Sequence, residues 1–175
     1  MAMVKKHNII LKLKSRICMA YHKFYFFKLR LLKFSKNCYT VYRWFKMITV
    51  VAALIEKNGK YLIAKRSTGY VEALGKWEFP GGKVEKDETE KHAIEREIKE
   101  EFEMDIKAIK FLTNNICEYP TKTIDLRLYE CKYLSGEFHL HDHSEYEFVD
   151  KEDFVNFDLC KADIPLAEYV KGLKK

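Results

Sequence analysis

Residues 1–46 contain no aspartate or glutamate. The same stretch carries twelve of the 32 lysines and arginines, so the rest of the chain holds 20 basic residues against all 26 acidic ones. The formal charge of +6 thus describes neither part: an acidic domain follows a basic leader. CxxC spacing is absent as well. The five cysteines (Cys18, Cys38, Cys117, Cys131, Cys160) are odd in number and scattered. That argues against a disulfide framework or a zinc site and fits reduced thiols, mostly small core residues, in a cytosolic setting. No apolar run approaches the length of a membrane span, and there are no repeats or low-complexity tracts. What is present, 47% hydrophobic and 33% charged residues in a chain of 175, suits one globular domain with a real core.

Three readings of the leader stay open. A basic, aromatic, acid-free segment suits an anionic membrane or nucleic acid. It also suits an address peptide, although no uninterrupted apolar region or small-residue cleavage site follows the charges. Alternatively it is idle or untranslated, with Met47 as the true start, because a clean strand begins where the composition changes.

From there the organisation is of alternating elements. Residues 47–55 form a β-branched apolar run of buried-strand length. Asn58-Gly59 signals a hairpin turn, and residues 61–67 return as a second strand. "TGYVEALGK" reads as a loop and "WEF" as a short extended piece before Pro80-Gly81-Gly82. A helix follows from the N-cap Thr89 to about Phe102. Residues 106–119 and 121–134 read as two long strands joined at Pro120-Thr121, and residues 145–150 as another. A last helix opens at the N-cap Asp163, with Pro165 in its first turn, and continues to the C-terminus. The expected fold class is α/β, a mixed sheet sandwiched between helices.

The helix in "WEFPGGKVEKDETEKHAIEREIKEEFEM" concentrates acid. At about 100° per residue, Glu97, Glu100 and Glu101 share an arc of roughly 100° beside the stripe of Ile94, Ile98 and Phe102. A solvated charged face is the ordinary meaning of such a helix. Glu97 and Glu101, however, repel at i,i+4 with no lysine interleaved between them on that face. The Gly-Gly turn also lets backbone carbonyls approach whatever the carboxylates hold. Hard oxygen donors without His or Cys point to Mg²⁺, or Mn²⁺, shared with substrate phosphates.

Gly82, Glu88 and Arg96-Glu97-Ile98-Lys99-Glu100-Glu101 stand at the spacings of the Nudix box, G-x5-E-x7-R-E-U-x-E-E-x-G-U, and the chain resembles that family over residues 47–173. "EFPGGK" and the domain length resemble its MutT-like branch. One position departs: the glycine after the paired glutamates is Glu103, which puts the helix stop in doubt. The resemblance implies Glu97, Glu100, Glu101 and the Gly81 carbonyl as metal ligands, and an Arg96–Glu88 pair that orients the helix. It implies Glu145 in "HDHSEYEFV" as an extra ligand or base from a separate loop, sharing the general-base role with Glu97. Arg66, Asp163 in "KADIPLAEYV", Phe79 and Tyr119 would contact the nucleotide, Asp163 at the base edge and the two rings by stacking. Each has an ordinary alternative: a strand-end cation, a helix N-cap, core packing.

The implied reaction is hydrolysis of a nucleoside triphosphate to the monophosphate and diphosphate. 8-oxo-dGTP is the leading substrate, which would make the enzyme one that sanitises the nucleotide pool in the service of DNA repair. A pyrimidine triphosphate such as CTP is the alternative. A silent, nucleotide-sensing Nudix domain and a leader-driven membrane or nucleic-acid binder are the rival classes. No stable nucleic-acid partner is expected, the cytoplasm is the expected location, and monomer and dimer both stay open.

Overall fold

The computed structural model describes residues 47–136 and 138–174; the leader, with the readings attached to it, lies outside them. Seven strands and two helices follow in the order β1 (Met47–Lys57), β2 (Lys60–Arg66), β3 (Trp77–Glu78), β4 (Gly81–Lys83), α1 (Glu90–Phe102), β5 (Asp105–Glu118), β6 (Thr123–Ser135), β7 (His143–Val149) and α2 (Ile164–Lys171). Short 3-10 turns at Val71–Ala73 and Lys151–Asn156 complete it. The first interrupts what reads in sequence as plain loop.

β1 is the centre. It pairs in parallel with β6 from Met47↔Thr123 to Ile55↔Cys131, and antiparallel with β4 through Val50↔Lys83, Val51↔Gly82 and Ala52↔Gly81. β5 lies antiparallel on the far side of β6. A hairpin at Asn58 and Gly59, both at positive φ, leads into β2, which carries β7 and β3 on its flanks. Asn and Gly tolerate that conformation best, which is why the pair marks the turn.

Alternation along the strands divides the core into two layers. Val51, Ala53 and Ile55 of β1 join Leu62 and Ala64 of β2 under Ile94, Ile98 and Phe102 of α1. Ala52, Leu54 and Ile63 face the other way and pack with Leu166, Ala167 and Val170 of α2. The mixed sheet is therefore covered on both faces. Burying each Val, Leu, Ile or Phe side chain among them stabilises the fold by about 1.5–3 kcal/mol. Cys117, Cys131 and Cys160 are buried and unbridged, in keeping with small core residues. No described helix is long and apolar enough to cross a membrane.

Some local expectations are corrected. Strand β7 begins at His143, two residues before the acidic run that signals it in sequence. The final helix stops at Lys171, with Gly172 as its C-cap, short of the C-terminus. Asp163 precedes that helix but makes no side-chain cap; its carboxylate is used elsewhere, as shown below. At the other helix, Glu103 takes the left-handed conformation itself (φ 57°, ψ 20°) and its N–H closes on the Lys99 carbonyl at 3.1 Å. The helix ends where a glycine would have ended it.

Candidate active site

Thr89 accepts a hydrogen bond from the His92 N–H and starts α1. The helix then lies over the β4 strand that Gly81 and Gly82 add to β1. Both glycines are required by close approach. A Cβ on Gly81 would stand 2.1 Å from the Val51 carbonyl oxygen, and one on Gly82 2.1–2.4 Å from the Glu97 carboxyl group. The turn therefore presents bare backbone to the helix carboxylates.

The Arg96 guanidinium organises the outer side of α1. It donates to both Glu88 oxygens at 2.9 and 3.0 Å, to Glu100 at 3.0 Å and to the Lys83 carbonyl at 3.2 Å. It also lies 3.1 Å from Glu97. These bonds, Arg96 first, hold the Glu88 carboxyl down to about 2. Glu101 is the opposite case. Only 6% exposed, it is pushed up to about 8 by burial and by the Glu78 carboxylate, and its Oε2 atom is buried without a partner. Burial raises Glu97 as well.

A cleft of 360 Å³ runs from this point across the sheet. Gly81, Gly82, Glu97 and Glu101 line one end; Arg66, Glu78, Tyr119, Asp142, Cys160 and Asp163 continue it. Six sequence-expected site residues thus line it: Gly81, Glu97, Glu101, Arg66, Tyr119 and Asp163. Five do not: Arg96 and Glu88, which form the clamp beside Glu97, and three others. Glu100, its side chain 60% exposed, is drawn outward to Arg96, as mutual repulsion among the helix carboxylates favours. Glu145 sits opposite Lys65 in the β2–β7 ladder and pairs with it at 2.8 Å; Asp142, three residues earlier, is the loop acid on the cleft. Phe79 is 3% exposed and its ring packs edge-on against Phe154, so core packing claims it.

The far end is built around Glu78, which the sequence analysis passed over. Arg66 donates to its Oε1 at 2.6 Å, with His143 Nε2 at 3.0 Å from the same atom. The Cys160 thiol approaches Oε2 at 3.7 Å. Asp163 Oδ1 accepts from the Phe79 N–H at 3.0 Å, which is where its capping capacity goes. Burial first, then Glu78, raises the Asp163 carboxyl well above its ordinary value. Among the described residues, Glu78, Cys160 and Asp163 are the one set of three metal-type ligands within 4.8 Å. A cation there would meet the Arg66 guanidinium and a thiol that burial holds protonated, so the set suits a polar ligand edge instead. A lone acid between Trp77 and Phe79 was the available sequence signal.

A helix that sets glutamates over a glycine turn at the edge of a mixed sheet, with a nucleotide-sized cleft running away from it, defines a class of site. Comparison agrees with it. The NUDIX domain profile matches residues 45–170. The chain is 36% identical over 129 residues to the CTP pyrophosphohydrolase of Escherichia coli, covering 74% of this chain and 95% of that protein. It is 29% identical over 109 residues to the 8-oxo-dGTP diphosphatase of Buchnera aphidicola, covering 62% and 81%. The solution structure of the E. coli ORF135 protein superposes with a TM-score of 0.65 at 34% identity, covering 71% of this chain and 89% of that one. The MutT protein of Methanosarcina mazei does so at 0.65 and 27%, covering 74% and 96%. This chain belongs to the Nudix hydrolase family.

Proposed function

We propose that the chain is a divalent-metal-dependent nucleoside triphosphate pyrophosphohydrolase, converting a triphosphate and water to the monophosphate and diphosphate. The observation that carries this reading is the pairing of Glu101, with a buried, partnerless Oε2, and Glu97, held over bare backbone at Gly82, at one end of a nucleotide-sized cleft. An orphaned carboxylate oxygen beside a second carboxylate, over a bare glycine turn, suits a hard cation.

Glu97, Glu101 and the Gly81 carbonyl would hold magnesium or manganese there, with Glu100 joining them by leaving Arg96, and the ion would neutralise phosphate oxygens and lower the pKa of a water. The protein's own part is geometric and protonic. Arg96, clamped by Glu88, sets the rotamer of Glu97 and draws Glu100 into the same fan of bonds. Glu97 takes the proton of the attacking water, and burial, which raises its pKa, makes it a better base. Asp142 fills the loop-acid role in place of Glu145. Arg66 and Asp163 lie toward the base end, Arg66 locked to Glu78 so that the Glu78 carboxylate keeps its orientation.

8-oxo-dGTP is the first substrate to test, in line with the "EFPGGK" resemblance and with the diphosphatase from Buchnera. A second reading, CTP, is favoured by a specific observation. Glu78 and Asp163 lie side by side, and burial raises the Asp163 carboxyl well above its ordinary value. Glu78, held by Arg66, offers an acceptor, and Asp163, whose burial favours its protonated form, offers a donor, the complement of a cytosine edge with its amino group and ring nitrogen. The relative acting on CTP is also matched over nearly its whole length.

Diphosphate release from a panel of triphosphates with Mg²⁺ tests the reading. Turnover of either substrate, reduced by two orders of magnitude or more in Glu101→Gln and Glu100→Gln, is expected. Folded protein that binds nucleotide without turning any over would instead be a sensor.

A further inference from the structure

Two loops meet across the mouth of the cleft. The β2–β3 connection brings Tyr70, Glu72 and Ala73 to one rim, and the β5–β6 turn brings Tyr119, Thr121 and Lys122 to the other. Between them the Lys122 ammonium lies 2.9 Å from the centroid of the Tyr70 ring and 5.6 Å from that of Tyr119. Lys161 stands 5.8 Å from the Tyr119 ring, so rings and cations alternate along the rim.

The core does not account for Tyr70. Its side chain is 49% exposed and belongs to neither packed layer. The loop is fixed by other bonds: Arg66 N to the Lys76 carbonyl, Gly75 N to the Arg66 carbonyl, Ser67 N to the Asp142 carbonyl and Arg66 Nε to the Thr68 carbonyl. Tyr70 is also at the right end. Tyr119, which shares Lys122 with it, lines the same stretch of the cleft as Cys160 and Asp163. The metal-type carboxylates are at the other end.

Resting on the reading of the cleft as a nucleoside triphosphate site, we propose that Tyr70 and Lys122 form a latch across its mouth, in which an incoming base takes the place of the ammonium on the Tyr70 ring. An aromatic face holding a cation at a wet rim is an exchangeable arrangement, and a base offers the same ring a larger flat partner. Stacking is indifferent to base identity because every base has a π-face. Tyr70 therefore supplies affinity, while the Glu78 and Asp163 edge supplies choice. Lys122 holds the mouth closed in the free protein, and the closed fraction lowers the apparent affinity.

The test is steady-state kinetics of the full chain with Mg²⁺ on CTP and 8-oxo-dGTP, with inorganic tripolyphosphate as a competing inhibitor that has no base. Tyr70→Ala should raise KM by about tenfold for whichever triphosphates are turned over, by the same factor for each, with kcat held within about twofold. The tripolyphosphate inhibition constant should not move, and Tyr70→Phe should behave as wild type. Lys122→Met should lower KM by about twofold. An unchanged KM in Tyr70→Ala, or an inhibition constant that rises with it, would overturn the stacking role. A Lys122→Met variant that binds worse would overturn the latch. Wild-type protein that turns over no triphosphate would overturn the parent reading and the latch together, a result distinct from an active wild type indifferent to Tyr70→Ala.

Discussion

Gly82 and Glu97 are so close that a Cβ on the glycine would lie 2.1 Å from the glutamate's carboxyl carbon. The contact joins the turn to the helix and leaves the Glu97 carboxylate one place to go. Gly82→Ala should displace it into the cleft. We expect metal affinity and kcat to fall about 10- to 100-fold, as when a group orienting a ligand is lost, with the far-ultraviolet circular dichroism unchanged. A variant with wild-type kinetics would mean that Glu97 takes no part.

Metal uptake should release a proton. The Glu101 carboxyl, ordinarily ionised above 4.5, is raised to about 8, so near pH 7 it still carries its proton, which an incoming cation must displace. Titration calorimetry in buffers of different ionisation enthalpy should find close to one proton released per binding event at pH 7, and close to none at pH 9. Apparent affinity should rise with pH and level off above about 8. Glu101→Gln should abolish the release.

Acid should selectively weaken the Glu88–Arg96 clamp. Glu88 titrates near 4.5 when unperturbed and at about 2 in the fold, chiefly through its hydrogen bonds to Arg96. A depressed carboxylate contributes stability above the unfolded value and loses it as the pH falls through the folded one. The melting temperature of wild type should therefore exceed that of Glu88→Gln at pH 5 to 7, and the gap should close progressively from about 4.5 down to 2.

Glu103 offers a test of local strain. A non-glycine residue at φ 57° costs about 1 kcal/mol, and the exposed contact to His141 at 2.9 Å recovers about 0–1 kcal/mol. Glu103→Gly should raise the midpoint of urea unfolding slightly or leave it unchanged, with activity unaffected. Clear destabilisation would show that the His141 contact outweighs the strain.

The carboxylate end of the cleft was legible in the sequence because its parts are close along the chain. Gly82, Glu88, Arg96, Glu97 and Glu101 sit on one turn and one helix, where spacing translates directly into angle. Glu145 was misplaced for the converse reason. An acid in a loop before a strand can face either way, and the register of β7 against β2 sends Glu145 to Lys65 and leaves Asp142 on the cleft. Phe79 went astray because a short aromatic piece says nothing about which side will be covered by Phe154.

By itself, then, the chain determined its sheet, its acidic helix and its membership of the Nudix family, since alternation, capping and close spacing are local properties of a backbone. Beyond Arg66, Tyr119 and Asp163, the tertiary structure alone decided the far end. His143, Cys160 and Asp163 lie 65 to 85 residues from Glu78 along the chain, and Lys122 lies 52 from Tyr70. They are neighbours only because burial of two apolar faces fixes how β2, β6 and the approach to α2 lie against one another.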